Sequence, residues 1–143
     1  MLIDLKSFVN VGQSATIETV VSKEDTAVNY GTGRLGDILA TPALVKWMIK
    51  AAVEAVDPHL PEGLVSVGLA MQFQHTAPSL IGAIVRVKAT VTDVSENSVL
   101  FDISANDDIG EICIGRYERM VVILDDLLKR ANSRGATLSK NHP

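Results

Sequence analysis

The stretch TPALVKWMIKAAVEAVD, residues 41–57, decides how this chain folds. Thr41 is a residue type favoured at a helix N-cap, and Pro42 suits the first helical position, where its missing N–H leaves no bond unmade. Pro58 stops the helix. The sixteen residues from Pro42 to Asp57 span about 24 Å at the usual helical rise. Lys46, Lys50, Glu54 and Asp57 fall 4, 4 and 3 residues apart and form one narrow polar stripe, and the rest is Ala, Leu, Val, Trp, Met or Ile. A surface helix carries one apolar stripe. This one carries one polar stripe, so other elements must enclose it on most sides.

The flanking sequence supplies the enclosure. Residues 14–22 (SATIETVVS) are β-branched and partly alternating, which predicts a strand, and the polar, Gly-rich segment from Lys23 to Asp37 predicts a loop. After the turn PHLPEG (58–63), residues 65–77 alternate. Val67, Leu69, Met71, Phe73 and His75 face one way, and Ser66, Gly68, Ala70, Gln72 and Gln74 the other. Residues 83–94 set Val85, Val87, Ala89 and Val91 against Arg86, Lys88, Thr90 and Thr92. Ser95–Ser98 reads as a hairpin turn, and residues 99–106 set Val99, Phe101, Ile103 and Ala105 against Leu100, Asp102, Ser104 and Asn106. A turn at Asp107-Asp108 leads to a strand from Gly110 to Leu124, followed by a short helix to about Ala131 and a frayed polar tail over 132–143. The expectation is one α+β domain over residues 1–143, an antiparallel five-stranded sheet wrapped around one long buried helix: the hotdog fold. Open sheet edges invite a second subunit, so a homodimer or a dimer of dimers is expected.

Composition narrows the function. Of 143 residues, 47% are hydrophobic and 21% charged, which fits a globular domain and excludes wholesale disorder. Thirteen Lys and Arg against seventeen Asp and Glu give a net charge of -4, so the concentrated positive charge that nucleic acid requires is missing. Cys113, the single cysteine, cannot form an internal disulfide, and no Cys/His group has zinc-ligand spacing. The apolar stretches are interrupted before membrane-spanning length, and Asp4 stands where a signal peptide would be positive. The expectation is a cytoplasmic domain with no nucleic-acid, membrane or metal partner.

Gly31-Thr32-Gly33-Arg34-Leu35-Gly36 is a literal G-x-G-x-x-G. In a dinucleotide fold it stands between a strand and the helix whose N-terminus holds the pyrophosphate. Here a polar loop precedes it, four residues separate Gly36 from Thr41, and no second βαβ unit follows. These are loop glycines. His75 lies in line with Met71 and Phe73, and is either a core histidine held by a backbone carbonyl or a base or hydrogen-bond donor. His59 in a turn and His142 in the tail make no metal site with it. Thr41 has a structural explanation as an N-cap, yet the helix start it marks also offers amides able to stabilise an oxyanion. Arg86 and Lys88 read as the solvated side of the sheet.

The run from Tyr30 to Val91, with the segment DISANDDIGEICIGRYERMVV, resembles the fluoroacetyl-CoA thioesterase-like group of hotdog thioesterases. Three pieces carry the resemblance: A-T-P opening the helix, S-V-G within the following strand, and H-T-A-P closing that strand. It implies a dimer with acyl-CoA sites near the subunit interface, hydrolysing a thioester with no metal or organic cofactor. It also implies a catalytic threonine at Thr41, a catalytic histidine at His75, and a glycine close to the acyl group at Gly68. The helix glutamate of the group's catalytic set corresponds to Ile49, which can neither attack a thioester nor activate water. Glu54 lies about 140° around the helix from position 49, so Asp37 or an acid from a second subunit is left as the replacement.

The leading expectation is therefore an acyl-CoA thioesterase in which His75 activates water, Thr41 orients water or thioester, and amides near Pro42 and Ala43 bind the oxyanion. Trp47, Met48 and Ile49 as lining would favour a small acyl group. The alternative is a non-catalytic hotdog dimer that binds acyl thioesters, motivated by Ile49. Hydration of an enoyl-CoA ranks last, because no motif supports it.

Overall fold

The computed structural model describes residues 4–31 and 33–141, so Thr32 and His142 lie outside the described residues. Strand β1 (Ser14–Val20) precedes helix α1 (Thr41–Val56), and β2 (Leu64–His75), β3 (Ile84–Val94), β4 (Ser98–Asn106) and β5 (Glu111–Ile123) follow. Helix α2 (Leu124–Asn141) comes last. The five strands form one antiparallel sheet in the order β1-β3-β4-β5-β2. The short turns make β3–β4 and β4–β5 neighbours, as the alternation predicts. β2 does not pair with β3; it closes the far edge beside β5, leaving β1 and β2 as the two edges.

Helix α1 packs chiefly on β3 and β1. Ala43, Leu44, Trp47, Met48, Ala51, Ala52, Ala55 and Val56 are buried against the inward residues Val85, Val87, Ala89, Val91, Val99, Phe101 and Ile103. Each fully buried Val, Leu or Met contributes about 1.5–3 kcal/mol, so this interface holds the fold together. Lys46, Lys50 and Glu54 stay exposed, as the narrow polar stripe predicts. Asp57 does not. Its carboxylate turns inward and accepts the Ser66 hydroxyl at 2.5 Å and the Ser66 N–H at 3.2 Å.

Two further expectations change. The alternation read along β2 breaks at a bulge: Gly68 pairs with Arg119 and Ala70 with Glu118, leaving Leu69 as the extra residue. Before the bulge Ser66 is the buried residue and after it the inward positions are Met71, Phe73 and His75, while Leu69 is 56% exposed. At the C-terminus, α2 continues through the segment read as a frayed tail. Leu124, Leu127, Leu128 and Ala131 recur at helical spacing ahead of it and Leu138 lies on the same face within it, and Asp125 and Asp126 in the first turn suit the positive end of the helix dipole.

Buried Arg119 ties β5 to β2. Its Nε donates to Ser66 Oγ at 2.8 Å, Nη2 to the Ser66 carbonyl at 2.6 Å and Nη1 to the Tyr117 hydroxyl at 2.5 Å. Its link to a carboxylate runs through the Ser66 hydroxyl to Asp57, which joins the end of α1 to the sheet.

Candidate active site

The loop between β1 and α1 is pinned before it reaches the helix. Asp25 accepts the Ser22 N–H and hydroxyl at 2.9 and 2.8 Å, its carbonyl accepts the Ala40 N–H at 2.8 Å, and Lys46 Nζ lies 3.5 Å from its carboxylate. Burial pushes the Asp25 carboxyl up, but the two Ser22 bonds and Lys46 outweigh it and hold the pKa below 3.8. The Leu39 N–H donates to the Ser79 carbonyl and the Ile81 N–H to the Asp37 carbonyl. The entry to α1 is thereby laid against the segment that follows His75.

This brings Thr41 and His75 together. Thr41 Oγ1 and His75 Nδ1 are hydrogen bonded at 2.9 Å across 34 residues of sequence. Thr41 is therefore not the N-cap: Ala40 holds that place, with no side-chain cap, and the Thr41 hydroxyl is engaged by the imidazole instead. His75 Nε2 is buried and has no hydrogen-bond partner among the described residues. Burial lowers the His75 pKa below 6.5, against a smaller raising contribution from the Ala77 backbone. The ring is neutral at neutral pH, as a base must be.

Of the amides near Pro42 and Ala43, those past Thr41 are engaged by the helix start. Pro42 has no N–H, and the Ala43 and Leu44 N–H groups both donate to the Ala40 carbonyl at 3.1 and 3.2 Å. The Thr41 N–H is the first-turn amide with no acceptor among the described residues. It stands at the positive end of α1, beside the Thr41–His75 pair.

Thr41 and His75 open onto a cavity of about 430 Å³, whose lining includes Tyr30, Leu35, Ile38, Pro42, Ala77 and Pro78. The loop residues among these escaped sequence reading, because an aperiodic loop gives no pattern that says which side chains turn inward. The lining holds no Asp or Glu. Asp37 does not reach it, and neither does Ile49, which is 37% exposed on α1 and about 12 Å along the helix axis from Thr41. Trp47 and Met48 are core residues, not lining, so the bulk expected to limit the acyl group stands elsewhere. Gly68 is not among the lining residues of this cavity, and a Cβ there would sit 2.7 Å from the Tyr117 hydroxyl. Cys113 pairs with His75 across β2 and β5, but burial and the nearby Glu111 push its thiol up to about 11, so it is no nucleophile at neutral pH.

Among the described residues no group of three or more His, Cys, Asp or Glu has metal-site geometry, and no helix is long and apolar enough to cross a membrane. A second hollow of about 640 Å³ is lined by residues of β2, β3, β4 and β5, Gln72, Gln74, Asp102, Ser104 and Arg116 among them.

Residues 21–125 match the model of the family described as fluoroacetyl-CoA-specific thioesterase. The fluoroacetyl-CoA thioesterase of Streptantibioticus cattleyicolor is 30% identical over 126 residues, which is 85% of this chain and 91% of that protein. The crystal structure of a hot-dog-like protein from Thermanaerovibrio acidaminovorans is 35% identical with a TM-score of 0.86, covering 92% of this chain and 97% of that one. A fluoroacetyl-CoA thioesterase variant solved in complex with acetyl-CoA is 27% identical with a TM-score of 0.80, covering 94% and all of the two chains. With the hotdog architecture and this match over most of its length, the chain belongs to the fluoroacetyl-CoA-specific thioesterase family.

Proposed function

We propose that this protein hydrolyses acyl-CoA thioesters at the Thr41–His75 pair. The observation that carries the reading is the 2.9 Å bond between Thr41 Oγ1 and His75 Nδ1 in the wall of a cavity. Nδ1 is the nitrogen that serves the cavity, because Nε2 is sealed from solvent. A water held by the Thr41 hydroxyl attacks the thioester carbon. Its proton passes to Thr41 Oγ1 as the Thr41 proton moves to Nδ1. The Thr41 N–H steadies the oxyanion. Collapse breaks the C–S bond, and the imidazolium returns its proton to the departing thiolate.

The binding of acyl-CoA is supported by the relative solved with acetyl-CoA. The reading includes a homodimer, for which the unpaired outer edges of β1 and β2 are the support, and light scattering at twice the chain mass is the expected result. Free-thiol release from a panel of acyl-CoAs, with wild type and His75→Ala, tests the activity. Turnover abolished by the substitution is the expected outcome. The missing carboxylate favours one second reading, a protein that binds acyl-CoA without turning it over. In that case both proteins release no thiol while acyl-CoA still raises the melting temperature.

A further inference from the structure

The loop that carries G-x-G-x-x-G has a use unrelated to nucleotides. Gly33 and Gly36 take φ of 72° and 79°, values that side-chain-bearing residues rarely adopt. Tyr30 and Leu35 on either side of this turn both contribute to the cavity wall, together with Ile38, Ala77 and Pro78. The charged neighbours Lys23, Glu24, Arg34 and Asp37 are absent from the lining, and no Asp, Glu, Lys or Arg contributes to it. Leu35 nevertheless remains 70% exposed and Tyr30 42%, an apolar surface at the mouth that no described residue covers.

We propose that the acyl group accepted here is uncharged, apolar and bulkier than acetyl. The inference rests on the thioesterase reading for the placement of the acyl group. The polar atoms of Thr41 and His75 serve the thioester, Thr76 adds one uncharged polar residue, and the rest of the wall is mainly aliphatic and aromatic. At about 430 Å³ the cavity falls within the range of small-molecule sites, about 300–1,000 Å³, and a two-carbon acyl group leaves the wall of Tyr30, Leu35 and Ile38 in contact with water. Each added methylene removes apolar surface from water on both partners. A terminal carboxylate or ammonium loses its hydration and gains no counter-charge.

Non-hydrolysable thioethers of CoA separate this inference from catalysis. Ethyl-, butyl- and 3-carboxypropyl-CoA are titrated calorimetrically into the intact protein. Affinity is expected to rise about fourfold per methylene, so about 15-fold from ethyl to butyl, and to fall about 100-fold or more from butyl to carboxypropyl. Leu35→Lys, at a position exposed enough to leave folding intact, is expected to narrow the second gap by about tenfold. Ethyl-CoA binding as tightly as butyl-CoA, carboxypropyl-CoA matching butyl-CoA, or no binding by any thioether overturns the inference. Failure of the thioesterase reading looks different: the thioether preferences hold while no acyl-CoA releases thiol.

Discussion

The Thr41 hydroxyl is committed to His75 Nδ1, 2.9 Å away, and not to the helix it opens. Removing either group should therefore disable the same step. His75→Ala is expected to lower kcat/KM by about 10²–10⁴-fold, and Thr41→Val by about 10–100-fold, the loss of one charge-assisted hydrogen bond, with Thr41→Ser retaining most of the rate. The double variant should be no worse than His75→Ala within about threefold, because residues that act as a unit are not additive. Independent effects in the double-mutant cycle would show that the two side chains do separate work.

Burial lowers the His75 pKa below 6.5, and the neutral ring is the active form. The acid limb of kcat/KM is expected below 6.5, so activity persists into mildly acidic solution. The sign for stability is the same. The folded state favours the neutral ring, so this contribution is full above 6.5 and is lost as pH falls through the folded pKa. An acid limb at or above 6.5 in the pH–rate profile would contradict the assignment.

Gly68 faces the Tyr117 hydroxyl, and a Cβ there would stand 2.7 Å from it. That hydroxyl is held by Arg119 inside the sheet, so it cannot swing aside without breaking the bond. Gly68→Ala is expected to destabilise the protein by about 1–3 kcal/mol, read as a lower urea midpoint. The affinity for butyl-CoA in the folded fraction should be unchanged if Gly68 acts only through packing.

Ser79 Oγ donates to Asp107 Oδ2 at 2.8 Å, tying the segment after His75 to the β4–β5 turn. Burial pushes the Asp107 carboxyl up, but Ser79 and the Ile109 and Gly110 amides outweigh it, and the net pKa lies below 3.8. Its stabilising contribution is full above 3.8 and is lost as pH falls through the lowered value. Ser79→Ala should cost about 1 kcal/mol at neutral pH and move the acid-unfolding midpoint to higher pH. Circular dichroism along a pH titration reads both.

The parts of the fold that could be read in the sequence are those written in local pattern. β3 alternates from Val85 to Val91 and β4 from Val99 to Ala105, and Val85, Val87, Phe101 and Ala105 are all buried as the alternation predicts. The apolar sides of α1 were equally legible. β2 was not, because Val67 and Leu69 continue an apolar alternation across the bulge, and nothing in their residue types marks the slip. The fate of the Thr41 hydroxyl was hidden for a different reason: its partner is 34 residues away, and local capping rules cannot see a competitor brought in by tertiary structure. The same holds for Asp57, placed on the polar stripe by spacing and drawn inward by Ser66. At the C-terminus, the polar character of 132–143 reads as fraying, while helix α2 continues through it.

The bulge at Leu69 makes residue counting along β2 a form of information. Gly68 and His75 share the inward face although an odd number of steps separates them, because Leu69 absorbs one. Deleting Leu69 would leave an uninterrupted strand with Ser66 and His75 both still inward. Deleting a residue between Ala70 and Gln74 with the bulge kept would leave the composition almost unchanged and turn the imidazole to solvent. What aims His75 at Thr41 is thus the parity of a short stretch of chain, a property that no individual side chain carries.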